Sequence, residues 1–312
     1  EVSYVNIQCD KNNNVYVAYR DHSLGYKACV KKWNTGTSTW DYVGNAAFSD
    51  GPADKLDFKL DGNNTPYVAF KDESGGYKLS VMKYDGSAWV FVGGRSSSPG
   101  IVSSMLSLEI DKNNVPYVAY INESASNKAS MLKFVSDAWT SVGDATLSAG
   151  EVSYLDMAID TNGSPFVTYR DHSLQYKAFV RKFDSGVWSY KVSSETGFST
   201  GASGHNSIAI NKTNNSLYVA LTDESQANKC YVWKLDELVN GVNDISGIES
   251  KITRTGSDLL TISQLEQGVV KIFSINGALL YSGNVPANGT MDINLKQGVY
   301  LLHNNEKVVK FM

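Results

Sequence analysis

The chain has 312 residues, a net charge of -4 and 42% apolar residues, enough for a sizeable core and more than one domain. Lys and Arg are scattered among Asp and Glu, so no basic stripe points to nucleic acid, and no apolar run approaches the roughly 18 residues that would make a transmembrane segment. Tyr (18), Gly (26) and abundant Asn and Ser suit short strands joined by tight turns.

Glu1 is not an initiator residue, so an export signal is expected to have preceded it. From there one pattern recurs five times: an apolar strand, an Asp-Asn turn, a strand of the type Tyr-Val-Ala-Tyr, then Asp-x-Ser-x-x-x-Lys. The turn anchor falls at Asp10, Asp61, Asp111, Asp160 and Asn211, at intervals of 51, 50, 49 and 51 residues. A fixed period of this size marks a radial or stacked repeat protein.

The first strand of each repeat alternates with period two, as in Val5, Ile7, Cys9 or Leu155, Met157, Ile159, which gives it one strongly apolar face. Asn, Asp and Gly after it tolerate positive φ and bond their own backbone, which makes a hairpin. The second strand runs through Tyr16, Tyr67, Tyr117, Phe166 or Tyr218. The third begins at Lys27, Lys78, Lys128, Lys177 or Lys229, and the fourth carries Trp40, Trp89, Trp139 or Trp188. Four antiparallel strands in 50 residues resemble one blade of a β-propeller. The expected fold is all-β: a five-bladed β-propeller over 1–236, with repeats at about 1–51, 52–100, 101–150, 151–201 and 202–236. An open solenoid competes with it. The fifth repeat lacks a Trp-bearing outer strand; three strands, a substitute near Val242 to Ile245, or a removed N-terminal strand would each account for that. The three cysteines, Cys9, Cys29 and Cys230, read as buried free thiols.

After a linker or closing segment at 237–251 the period breaks. Ile252, Leu259, Leu260 and Ile262 lead to two apolar strands around Asn276-Gly277, and the chain ends in Lys307-Val-Val-Lys-Phe-Met312. This reads as a small Ig-like β-sandwich over 252–312. Leu295, Gly298 and Tyr300, with the tail Lys307, Lys310 and Phe311, resemble the C-terminal sorting domain of the type IX secretion system. The family's usual Asn-Pro near the domain start is replaced by Thr255-Gly-Ser-Asp258. The resemblance implies a partner in the outer-membrane secretion machinery of a Gram-negative bacterium, and a secreted or cell-surface protein.

Function is then expected on the propeller. The loop between second and third strands repeats as Asp21-His22-Ser23, Asp72-Glu73-Ser74, Asn122-Glu123-Ser124, Asp171-His172-Ser173 and Asp223-Glu224-Ser225. Its Asp and Ser suit turn capping. With Tyr26, Tyr77 and Tyr176 the same groups could form rim sites for a polar ligand, aromatic faces stacking on sugars beside hydroxyl-binding carboxylates. A second set, at the start of the innermost strands, varies from blade to blade and is expected to line the channel: Tyr4, Asn6, Lys55, Asp57, Tyr154, Asp156 and His205 are the candidate ligand-binding residues. These point to a binding or adhesion protein for a glycan or another extracellular macromolecule. The alternative is a glycoside hydrolase using Asp57 and Asp156, with Asp54 as helper. No cofactor or metal is implied: the histidines show no ligand spacing, and the Asp-x-Asn turns lack the acid that closes a calcium loop.

Overall fold

In the computed structural model the described residues are 1–191, 196–235, 251–255, 259–263, 267–274, 279–295, 300–304 and 307–311. The chain divides into two compact units, Glu1–Asp236 and Glu237–Met312.

The first unit is a five-bladed β-propeller whose blades follow the sequence repeat. Blade one is β1 (Val2–Cys9), β2 (Val15–Asp21), β3 (Lys27–Asn34) and β4 (Thr39–Tyr42). Blade two is β5 (Ala53–Leu60), β6 (Pro66–Asp72), β7 (Lys78–Tyr84) and β8 (Trp89–Phe91). Blade three is β9 (Val102–Ile110), β10 (Pro116–Asn122), β11 (Lys128–Val135) and β12 (Ala138–Ser141). Blade four is β13 (Val152–Ile159), β14 (Pro165–Asp171), β15 (Lys177–Asp184) and β16 (Val187–Tyr190). Blade five has three strands among the described residues, β17 (Ser203–Ile210), β18 (Leu217–Asp223) and β19 (Lys229–Leu235). Strand order follows chain order in every blade, and all pairs are antiparallel. Val242 to Ile245, Asn276-Gly277 and Gly298 lie outside the described residues.

The repeated anchor explains the first hairpin. Asp10 Oδ1 accepts the amides of Asn12 (2.9 Å) and Asn14 (2.8 Å), and Asp61, Asp111 and Asp160 do the same at i+2 and i+4. The residue three past the anchor takes positive φ: Asn13, Asn64, Asn114 and Gly163. That conformation is the reason for the Asn and Gly content of these turns.

Blades are joined by apolar faces and by side chains that reach over. One face of the inner strands of blades two to five (Leu56, Phe58; Leu106, Leu108; Leu155, Met157; Ile208) packs on the preceding blade. Trp89, Trp139 and Trp188 donate their indole N–H to the carbonyls of Val43, Val92 and Val142 one blade back, at 2.8, 2.7 and 2.7 Å. The Gly after each of those valines has positive φ, and a Cβ on Gly93 would stand 2.7 Å from the Trp139 ring. The Val-Gly pair is therefore a seat for the next blade's tryptophan.

Four interblade cores join the five blades in chain order, and among the described residues no fifth core joins blade five to blade one. Val5 and Ile7, the counterparts of buried Leu56 and Phe58, are 59% and 64% exposed. The expectation of three buried thiols is corrected here: Cys29 is buried, but Cys9 and Cys230 are exposed, because each lies on one of these uncovered faces.

The second unit holds β20 (Lys251–Thr255), β21 (Leu259–Ser263), β22 (Val269–Ser274), β23 (Leu279–Asn284), β24 (Met291–Asn294), β25 (Tyr300–Asn304) and β26 (Lys307–Phe311). They form sheets in the order β20-β21-β24 and β23-β22-β25-β26. Ile262, Val270, Ile272, Val285, Met291, Ile293 and Leu302 bury together, drawing on both sheets. None of the described helices is long and apolar enough to cross a membrane.

Candidate functional site

Each inner strand starts with an irregularity. Register shifts separate Ser3 from Asn6, Asp54 from Asp57, Ser153 from Asp156 and Gly204 from Ser207. Within them Tyr4, Lys55, Tyr154 and His205 take φ of 51, 48, 51 and 52°. This is a β-bulge with a non-glycine residue in the left-handed region, a costly conformation that re-aims a side chain. The bulge sits at the end of the blade where β2 and β14 run into the Asp-x-Ser loop, so the first channel position and the rim loop meet. Four of the seven channel candidates are bulge residues.

Two clusters result. Between blades four and five, the Arg170 guanidinium lies 4.6 Å from the Tyr154 ring centre and 5.2 Å from that of Tyr176. Its Nε donates to Ser153 Oγ (2.9 Å) and Nη1 to the Ser203 carbonyl (3.1 Å). His172 packs on Tyr176 at 4.9 Å and shares a hydrogen bond with Ser153 Oγ at 3.0 Å, while His205 packs on Tyr154 at 4.9 Å. Between blades one and two the same frame returns: Arg20 stands 5.9 Å from the Tyr4 ring and 4.7 Å from the Tyr26 ring, and His22 bonds Ser3 Oγ at 3.1 Å. Here, however, Asp54 and Glu73 close on Arg20 at 2.8 and 3.3 Å, and Lys55 Nζ donates to Tyr4 Oη at 2.9 Å. Blade two offers a partial copy, Lys71 over Tyr77 at 5.2 Å.

Arg20 and Arg170, the centres of both clusters, were not among the residues singled out from sequence. The signal was present: Tyr-Arg-Asp-His-Ser-Leu-x-Tyr-Lys occurs only at 19–27 and 169–177, and each is preceded by a Glu-Val-Ser-Tyr at 1–4 and 151–154.

The other channel candidates have a different placement. Asp57 Oδ1 accepts the Phe58 amide and Oδ2 the Leu108 amide of the next blade, both at 2.8 Å. Asp156 accepts from Ser107 Oγ (2.9 Å), Met157 N (2.8 Å), Ser207 Oγ (2.9 Å) and Ile208 N (3.0 Å). Asn6 donates to the Leu56 carbonyl at 3.2 Å. All three tie one inner strand to the next. Burial pushes the Asp57 carboxyl up to about 6 against the pull of Lys59 and the two amides. Lys59 pairs with Glu109 at 2.8 Å, so a chain of charges runs down this side of the channel.

The rim aspartates are engaged in their own loops. Asp21, Asp171 and Asp223 each accept the amide and hydroxyl of the Ser two residues on, the latter at 2.6 Å. Asp72 accepts Gly75 N and a bidentate Arg95, at 2.7 and 2.9 Å. In Asp21 the Ser23 hydroxyl leads in lowering the pKa; in Asp72 and Asp223 burial raises it but is outweighed by the hydrogen bonds together, those of Arg95, Ser80 and the Gly75 amide for Asp72 and those of Ser225 and the Gly201 and Thr200 amides for Asp223. Of the rim set, His22 and His172 are the members that join the clusters. Concavities of about 210 and 330 Å³ lie elsewhere, one at the Asn162 turn and one along the outer strands of blade one. Among the described residues no group of three or more His, Cys, Asp or Glu side chains could hold a metal.

No protein-family model and no curated protein matches the sequence. The fold is similar to a protein of unknown function from Dyadobacter fermentans, at 11% identity and TM-score 0.50, covering 95% of each chain. It is also similar to a polysaccharide lyase, the PL25 ulvan lyase bound to -[GlcA(1-4)Rha3S]-, at 12% identity and TM-score 0.51, over 97% of this chain and 90% of the other. At such identities the likeness speaks for the fold alone.

Proposed function

We propose that the propeller engages an acidic glycan at the rim between blades four and five, through Tyr154, Arg170, His172, Tyr176 and His205. The observation that carries this reading is the state of Arg170. It is framed by two tyrosine rings and, among the described residues, bonds only a hydroxyl and a carbonyl. A guanidinium with donors to spare binds a carboxylate or sulfate strongly, and flanking aromatic faces suit the apolar face of a sugar.

A polysaccharide-cleaving enzyme is supported at least as well as an adhesion protein, since the similar fold in the ulvan lyase carries out cleavage. With a uronate on Arg170, His205 would take the proton α to the carboxylate. The freed electron pair would form the carbon–carbon double bond, and the glycosidic oxygen would leave with a proton from Tyr154. Hydrolysis by Asp57 and Asp156, with Asp54, is the other route. It has less support, because these carboxylates are bonded to strand amides or to Arg20.

Retention of the full chain on acidic and neutral polysaccharides tests the reading. Acidic ones should retain it, and Arg170→Ala should weaken retention strongly. Equal retention on neutral glycans, or an unaffected variant, refutes it. Unsaturated sugar ends in the products would mark elimination; saturated reducing ends lost in Asp57→Asn would mark hydrolysis; no new ends would leave binding as the function.

For the second unit, the resemblance at Leu295, Tyr300 and the basic tail supports an export role and hence a secreted or cell-surface location. Deleting 252–312 should trap the protein in the periplasm of its host; unchanged surface delivery would refute the assignment.

A further inference from the structure

Among the described residues the back face of blade one and the forward face of blade five are uncovered. Inside the propeller the forward face of each blade covers the back face of the next. Tyr16, Ala18, Ala28 and Val30 of blade one are all buried, at 6, 0, 0 and 0% exposure, against Leu56, Phe58 and Phe70 of blade two. The forward face of blade five holds the counterparts Tyr218, Ala220, Cys230 and Val232, yet Cys230 is exposed and Val232 is 65% exposed. The back face of blade one holds Val5, Ile7 and Cys9, exposed where the other blades bury Leu56, Leu155, Phe58 or Met157. Trp40, whose counterparts bond a carbonyl one blade back, is 40% exposed. Lys31, at the position of Met82 and Leu132, gives this face a charged margin over the Tyr42 ring.

We infer that blade five of one copy packs on blade one of a second copy, extending the interblade contact from chain to chain. The occupant follows from continuity. The surface best matched to Val5 and Ile7 is a forward face of this repeat, and blade five carries the one such face that the described chain leaves open. Covering a Val or Ile removes apolar surface from water, and contiguous apolar faces of this kind mark association sites. Because the two faces differ, the contact is head to tail and can propagate or close into a ring.

Sedimentation of the full chain over a concentration series, with alkylation of its thiols, tests this. Wild-type protein should associate with rising concentration, with Cys9 and Cys230 becoming protected and buried Cys29 protected throughout. Ile7→Lys and Val232→Lys should each remain monomeric, at least tenfold weaker in association, with Cys29 protection reporting an intact fold. Their equimolar mixture should give dimers and nothing larger, since one good face of each kind remains. A monomer at every concentration overturns the inference, whether Cys9 and Cys230 react freely or are shielded by the chain itself. Association that survives in both variants also overturns it. Should the lysine variants misfold, Ile7→Ser and Val232→Ser repeat the test.

Discussion

The cluster between blades one and two and the cluster between blades four and five start from the same local sequence and end with opposite electrostatics. In both, a tyrosine in a left-handed bulge and a tyrosine at the loop end flank an arginine, with a histidine bonded to a serine. What differs comes from the following blade. Blade two supplies Asp54, Lys55 and Glu73, whereas blade five has Gly204 and His205 at the first two positions and, at the third, Glu224, which among the described residues forms no ion pair with Arg170. A guanidinium held by two carboxylates has its charge answered internally; one held by a hydroxyl and a carbonyl can still attract an anion. A duplicated motif can thus hold a closed ion-pair network in one place and leave its arginine without a carboxylate partner, among the described residues, in another.

The charges beneath the clusters differ too, and there the largest effect is expected. Asp57 lies below the first cluster with two amide donors, Asp156 below the second with four donors. Asp57 is raised to about 6 in the fold by burial, so between the ordinary aspartate value and 6 the native state holds a proton that the unfolded chain has lost. Stability from this group is then greatest in acid and falls as pH rises through that window, by at most about 3 kcal/mol. Asp57→Asn should remove that fall. Chemical denaturation of wild type and variant at pH 4 and pH 7 measures it, and parallel pH dependences would contradict the assignment. Next in size is the paired test of the arginines. Arg170→Ala should weaken acidic-glycan retention about 50-fold, as expected for a desolvated charged hydrogen bond, while Arg20→Ala should change it less than about twofold. Equal losses would mean that both clusters bind, or that neither does.

The architecture was legible because the repeats restate the same local rules: period-two apolar strands, in four of the five an aspartate that accepts two turn amides, an Asn or Gly where φ must be positive, and in blades two to four a tryptophan for the preceding blade's Val-Gly seat. The meeting of Tyr4, Lys55, Tyr154 and His205 with the rim loops was half legible. Blade-to-blade variation marked those positions, but the bulge that turns them outward depends on strand register, which alternation alone does not show. Asp57 and Asp156 look alike as carboxylates in a sequence. Only the neighbouring strand's amides, fifty residues away, make them ties between blades. Burial failed at Cys9 and Cys230 for a related reason: an apolar strand predicts a covered face, and whether a neighbour covers it is a property of the whole array.

The closed cluster can also be opened. Asp54→Asn with Glu73→Gln removes both carboxylates and keeps both shapes, leaving Arg20 with its two tyrosines. The double variant should gain a second acidic-glycan site, read in a titration as a stoichiometry rising from one to two, with affinity within about tenfold of the first because Lys55 stands where His205 stands. An unchanged stoichiometry would locate the difference in the bulge residue and not in the neutralising acids.

The smallest effect compares a covered blade face with an uncovered one. Trp139→Phe keeps most of the ring but loses the 2.7 Å bond to the Val92 carbonyl, leaving that acceptor unmet where blades two and three pack. Loss of one such bond costs about 1 kcal/mol. Trp40, 40% exposed on the open side of blade one, has water as its alternative partner, so Trp40→Phe should change stability by less than about 0.3 kcal/mol in dilute protein. If blade one is covered by a second copy, the Trp40→Phe cost should grow with protein concentration while the Trp139→Phe cost stays fixed. Denaturation midpoints at two concentrations therefore separate a tryptophan seated within one chain from one seated between chains.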